Sequence, residues 1–329
     1  MIQTLIDCFA QVQDRLFEAV VQPLMLALDL GAYLEEAFSG TEWFLVGICE
    51  LTVLFIVLRP LEALIPVHRI EGAHARWNDF TYTVLNRLGI LTVVVFFLLD
   101  PLVNMVMEQL HLHSVEPFNL DNLWPGVSDR PVITFLLYLF VLDFFDYWYH
   151  RAQHNVRWMW ALHSLHHSQQ NMNLWSDDRN HLLDVFIHDV LIGLVALAIG
   201  VAPSQYVLLV VASRMLQSLQ HANVRVHFGR WGDYLLVSPR FHRLHHAIGA
   251  GHESRGAESL GGCNFAVLLT VWDLLFRSAR FGRGFALTGV RDQLPPPQGK
   301  GRNYGHSFWS QQWLGLKRLL RALVGKPAL

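Results

Sequence analysis

Two short stretches, HSLHHS at 163–168 and HRLHHA at 242–247, each write His-x-x-His-His. Neutral imidazole is a ligand for iron, zinc and copper, so the chemistry these residues point to is metal chemistry. On a helix, positions i, i+3 and i+4 fan across one face, which lets each stretch serve two metal ions lying close together. Upstream, DFFDYWYHRAQHN adds His150 and His154, one helical turn apart, with Asp143 and Tyr147 stacked behind them on the same face. His181, in DDRNH, and His221, in QHANV, lie between the fans. The candidate ligands are therefore His150, His154, His163, His166, His167, His221, His242, His245 and His246, with His181 as a further candidate. There are 18 histidines among 329 residues, and two copies of so specific a pattern exceed what chance supplies.

Other chemistries lack their residues. The His-Glu-x-x-His of hydrolytic zinc enzymes is absent, and the paired Glu-x-x-His of soluble di-iron bundles is reduced to one spacing, Glu71 to His74. Cys8, Cys49 and Cys263 are too few and too far apart for a disulfide framework or an iron–sulfur cluster. No nucleotide-binding Gly-rich pattern occurs. A net charge of −2 with scattered basic residues excludes a nucleic-acid partner. His68, His111, His113 and His306 stand singly, and His188 sits in an apolar stretch where bonding to neighbours suffices to explain it.

The elements that must carry the histidines are membrane helices. Hydrophobic residues make up 52% of the chain and charged ones 16%, against about 25% charged in a soluble domain. Apolar runs at 42–58, 88–107, 131–149, 183–200 and 204–219 approach or reach bilayer-spanning length, the last two forming a hairpin through Val201-Ala202-Pro203-Ser204. Arg59, Arg69 and Arg76 make the first loop cytoplasmic, and alternation from there delivers both His-x-x-His-His stretches to that same face. The predicted fold is an all-α, polytopic membrane bundle with a cytoplasmic histidine-rich cap. Its parts are an N-terminal interfacial helix (1–41), first membrane spans (42–130), a catalytic unit (131–285), and a linker with an amphipathic C-terminal helix (286–329). A bacterial inner membrane fits this better than the endoplasmic reticulum.

With those residues in place, the chain resembles the fatty acid hydroxylase / sterol desaturase superfamily of membrane di-iron enzymes. The likeness runs from about 140 to 278 through Asp143, Tyr147-Trp148, His150-Arg151, His154, Trp160, His163, His166-His167-Ser168, Asn173, Arg179 and His181. It continues through His221, Asn223, Pro239, His242, His245-His246, Asn264-Phe265 and Trp272-Asp273. Ala266 stands where the family usually has Gly, and Phe276-Arg277-Ser278 where it often ends Phe-Gly-Thr, which leaves the subfamily open. The resemblance implies two iron ions, with zinc as a substitute, O2 as co-substrate, and hydroxylation of a lipid ahead of desaturation. Asp143, Tyr147, Arg179 and Asn223 then become groups that orient the imidazoles. Hydroxylation consumes two electrons and the chain has no flavin, haem or iron–sulfur motif, so a separate electron-donor protein or reductase is expected. The competing reading is a non-redox metal-binding membrane protein, a sensor or carrier. Few polar residues beyond Asp100, Asp143 and Asp146 interrupt the spans, which counts against transport.

Overall fold

A computed structural model describes residues 2–69, 73–115, 118–249, 252 and 260–326. Those residues are helical and contain no strands, only isolated bridges such as Pro66 with Val224. The lone Glu71–His74 spacing lies partly outside them.

The N-terminal helices α1 (Ile2–Leu16) and α2 (Gln22–Ala27) fold back on α3 (Leu34–Val53), with the Gln13 amide donating to the Phe38 carbonyl at 3.1 Å. Through a π turn at Leu54–Leu58, α3 continues into α4 (Arg59–Leu64), making one helical run, Gly31–Leu64, of 34 residues. The wide turn precedes Pro60, whose ring leaves no N–H for the helical ladder. After α5 (Ala73–Arg87) and α6 (Ile90–Leu112) comes α7 (Pro131–Asn155), started by Pro131 behind an extended Arg130. The Gly31–Leu64 run and α7 are each long and apolar enough to cross a membrane. Their outer faces leave Phe55, Ile56, Val132 and Leu136 exposed, as a lipid-facing surface does.

Then follow α8 (Arg157–His167), the hairpin of α9 (Leu182–Ala198) and α10 (Pro203–His221), the short α11 (Gly229–Leu235), α12 (Pro239–His245) and α13 (Val271–Leu275), and α14 (Phe308–Leu323). Tyr138 and Leu142 of α7 pack on Ile192 and Ala196 of α9 and Leu209 of α10. A second cluster of Tyr147, Val237, Phe241, Phe265 and Trp272 joins the end of α7 to the segments beyond α10.

One ionic hub ties the bundle to this cap. Arg87, 1% exposed, donates from Nε to Asp178 at 3.0 Å and from Nη2 to Ser218 at 2.6 Å, and pairs with Asp177 at 3.3 Å and Glu50 at 3.4 Å. The approach of α3 to α5 at this point requires Gly47, where a Cβ would fall 1.9 Å from the Arg87 carbonyl oxygen. Because that neighbour is backbone, Gly47→Ala is expected to destabilise the chain by about 1–3 kcal/mol, seen as a lowered Tm in detergent.

Candidate metal centre

Four helix ends deliver the histidines. The last two turns of α7 present His150 and His154; the C-terminal half of α8 presents His163, His166 and His167; α10 ends on His221. The fourth, α12, starts where the Ser238 hydroxyl accepts from the Phe241 N–H at 3.3 Å with Pro239 next in line, and seven residues suffice to place His242, His245 and the capping His246.

Nine buried imidazoles assemble into two groups. His150, His154, His163, His167 and His245 form one, and His166, His221, His242 and His246 the other; within each, one ring nitrogen per residue lies within 4.8 Å of the rest. The groups adjoin, His167 stacking on His246 at 4.2 Å between ring centroids.

The ring nitrogens are already sorted into those used by protein and those turned inward. His150, His154 and His245 direct Nδ1 at the carbonyls of Phe265 (2.8 Å), Gly261 (3.2 Å) and Cys263 (2.7 Å). A carbonyl only accepts, so Nδ1 carries the proton and Nε2 keeps its lone pair for the pocket. The buried Nε2 atoms of His154, His163 and His245 have no protein partner. In the second group the Nε2 atoms of His166, His221, His242 and His246 converge, at 3.0 Å from His221 to His166, 2.9 Å from His242 to His221 and 3.1 Å from His246 to His242. Crowded lone pairs and orphaned buried nitrogens are costly unless a cation meets them, and the donor set fits a first-row metal ion in each group. Burial and neighbouring imidazoles hold His166, His167, His242, His245 and His246 well below the ordinary histidine range, which leaves them neutral and able to ligate at neutral pH.

A loop from Gly261 to Phe265 supplies the three carbonyls; Asp273 holds its end, and Asp143 holds the segment that follows. Asp143 accepts from the N–H groups of Leu268 (2.8 Å) and Leu269 (3.0 Å) and from the Trp272 indole (2.9 Å). Asp273 accepts from the N–H groups of Phe265 (2.9 Å) and Ala266 (2.8 Å). Asn264, left-handed at φ 59°, donates to the Phe241 and Arg280 carbonyls, both at 2.9 Å, fastening the loop to α12.

Asp143 thus fastens the end of α7 to the Leu268–Trp272 segment rather than to an imidazole. The Tyr147 hydroxyl meets Ser278 at 2.9 Å and accepts from Arg151 at 2.7 Å. Arg179 contacts Gln169 at 3.2 Å and Asp79 at 3.5 Å, and Asn223 ties its amide to the His68 carbonyl at 2.7 Å. None of these four side chains bonds an imidazole of either group in the described contacts. The structure does not bring His181 to either group: its Nδ1 accepts from the Leu183 N–H at 3.2 Å, capping α9, and its Nε2 faces the Gln312 carbonyl at 2.9 Å. His188 bonds Asp146 at 2.8 Å and Asp189 at 3.3 Å.

Two carboxylates that sequence reasoning passed over do contact the imidazoles. Asp184 lies 3.3 Å from His163 Nδ1 and also accepts from Tyr149 and Gln153 at 2.9 Å; Asp177 lies 3.3 Å from His221 Nδ1. The available signal for Asp184 was its place three residues after His181, in the first turn of a helix. Asp184→Asn is expected to weaken metal retention about 10–100-fold while the chain still folds, checked by metal content after dialysis against a graded chelator.

A polar chamber of about 160 Å³ opens beside the second group, lined by His150, His163, His166, His221 and His242. It adjoins an apolar chamber of about 300 Å³ among α7, α9 and α10, walled by Leu139, Leu142, Ile192, Leu209 and Val210, with Trp43 reaching in from α3. Asp146, His188, Asp189, Arg214 and Gln217 line both.

The fatty acid hydroxylase family model matches residues 135–278, the segment that contains all nine histidines, so this part of the chain is a fatty acid hydroxylase domain. Among curated relatives, the chain is similar to alkylglycerol monooxygenase of Homo sapiens, 30% identical over 167 residues, which are 50% of this chain and 34% of that protein. It is similar to the Danio rerio alkylglycerol monooxygenase at 25% over 248 residues, 74% of this chain and 50% of that one. Ornithine lipid hydroxylase OlsE of Rhizobium tropici is 28% identical over 275 residues, 80% of this chain and 77% of that protein. The chain thus spans about a quarter to a half of the length of the alkylglycerol monooxygenases it matches. No solved structure gives a significant match.

Proposed function

We propose that the chain is a multi-pass membrane lipid hydroxylase that holds two iron ions in its paired histidine groups, zinc being able to take their place, and uses O2. Electrons come from a separate donor protein or reductase. The metal centre faces the cytoplasm, and a bacterial inner membrane is the favoured setting. The observation that carries this reading is the adjoining pair of all-imidazole pockets beside a polar chamber that shares a wall with an apolar one among α7, α9 and α10. Relatives named as an alkylglycerol monooxygenase and an ornithine lipid hydroxylase support the reaction class.

Iron in such a site supplies O2 activation for attack on an unactivated C–H bond. The chain's own residues do the rest. The carbonyls of Gly261, Cys263 and Phe265 fix three rings, and Asp184 orients a fourth. The apolar chamber takes a hydrocarbon tail, each buried CH2 adding about 0.8 kcal/mol, and the polar junction at Asp146, His188 and Arg214 receives the headgroup end. The oxidised carbon therefore lies near the junction of headgroup and chain.

The test is metal analysis and O2 uptake of detergent-purified protein given reductant and a mixed lipid extract. About two irons per chain, with lipid-dependent uptake and a product heavier by one oxygen atom, is the expected result. Bound metal without uptake, even after ferrous iron is added, returns the chain to the non-redox binding proteins.

A further inference from the structure

A second cavity, of about 590 Å³, lies between α8, α14 and the segment 290–304. The face of α8 that lines it carries Arg157, Trp160, Ala161 and Ser164, whereas His163, His166 and His167 belong to the metal groups. It shares no residue with the polar and apolar chambers. Among the described residues its charge is one-sided: Arg157, Arg302, Arg318 and Lys326 line it with one carboxylate, Asp292, which Arg302 pairs at 2.7 Å.

Arg318 decides what the cavity is for. It is 3% exposed, its Nε donates to the Ala161 carbonyl at 3.3 Å, and its guanidinium lies 4.4 Å from the centre of the Tyr304 ring. Its Nη2 is buried and has no hydrogen-bond partner. A guanidinium kept from water with one nitrogen unmatched costs free energy that a bound anion recovers, and its fork suits a phosphate. The source of that anion is suggested by α14 itself. One face of this helix, with Gln312, Gly315 and Arg318, is buried, and at Gly315 a Cβ would fall 2.3 Å from the His181 ring, so the helix sits hard against the domain. The opposite stripe, Trp309, Trp313, Leu320 and Leu323, is exposed, with Lys317 over the Trp313 ring at 5.1 Å. Exposed aromatic and aliphatic residues flanked by cations place a helix at a lipid surface.

We propose that this cavity binds the phosphate of an anionic phospholipid headgroup on Arg318, at a site separate from the histidine-lined chambers. The inference does not rest on the hydroxylase reading, because neither metal nor turnover enters it. It is tested on the full-length protein as isolated in detergent, by thermal shift against dioctanoyl phosphatidylglycerol, inorganic phosphate and dioctanoylglycerol. Phosphatidylglycerol is expected to raise Tm, phosphate to do so only weakly, and dioctanoylglycerol not at all. Arg318→Gln should weaken the phosphatidylglycerol response at least about tenfold, the loss expected when a charge-assisted bond goes. The exposed rim pair Arg157→Gln with Lys326→Gln should weaken it several-fold, and decides the matter if Arg318→Gln does not fold. An equal response to phosphate and phosphatidylglycerol overturns the lipid source and assigns the site to free phosphate. Unchanged responses in both variants, or an equal response to dioctanoylglycerol, overturn the anion site altogether.

Discussion

Replacing His245 with alanine is expected to remove one metal equivalent per chain and to cut lipid-dependent O2 uptake by more than about 100-fold. The estimate starts from the 10–100-fold that loss of a group behind a ligand costs; loss of the ligand itself exceeds it. His245 is fully buried, its ring lies 4.5–4.7 Å from those of His150, His154 and His167, and its Nε2 has no other partner. The loop carbonyl of Cys263 loses its partner as well, so the adjacent rings lose some of their order. His166→Ala, in the other group, is expected to lose the other equivalent. Metal analysis of the two variants separates this arrangement from one shared ion, since a single ion would be lost whole in either. If either variant keeps two irons and full uptake, the assignment of that residue as a ligand fails.

Arg87→Met is expected to destabilise the protein by about 3–5 kcal/mol, because it strands Glu50, Asp177 and Asp178 as buried carboxylates without their cation. Thermal unfolding in detergent checks the magnitude. A metal readout adds a consequence specific to this fold. Asp177 touches both Arg87 and His221, so iron retention should fall along with Tm. A control such as Gly47→Ala, which strains the same helix contact but keeps the guanidinium, should lower Tm while sparing metal content more.

The histidine fans, their helical placement and the α9–α10 hairpin were legible because each depends on local spacing. A fan at i, i+3 and i+4 faces one way on any helix, and Pro203 suits the first helical position, where its missing N–H costs nothing. The division of nine rings into five and four was not legible. His166 and His167 are adjacent in sequence yet belong to different groups, because neighbouring positions on a helix point about 100° apart. Nor was the role of the Gly261–Phe265 loop, since backbone carbonyls leave no trace in residue type. Asp143 and Asp273 stood in the recognisable pattern, but their use, holding the segment after that loop and the loop's end, depends on contacts 125 and 8 residues away in sequence. His181 shows the converse. Its type and position fit a ligand, and the close seat of α14 over Gly315 makes it part of a helix junction instead.

The three carbonyls that fix His150, His154 and His245 also decide which nitrogen of each of those rings carries the proton. A site of thiols or protonated imidazoles must shed protons before a divalent ion can enter, which ties its filling to the surrounding pH. At these three rings the Nδ1 proton is spoken for by the main chain and the inward nitrogen carries none, so an arriving ion meets lone pairs that are already bare. For these three donors, readiness is settled when the chain folds.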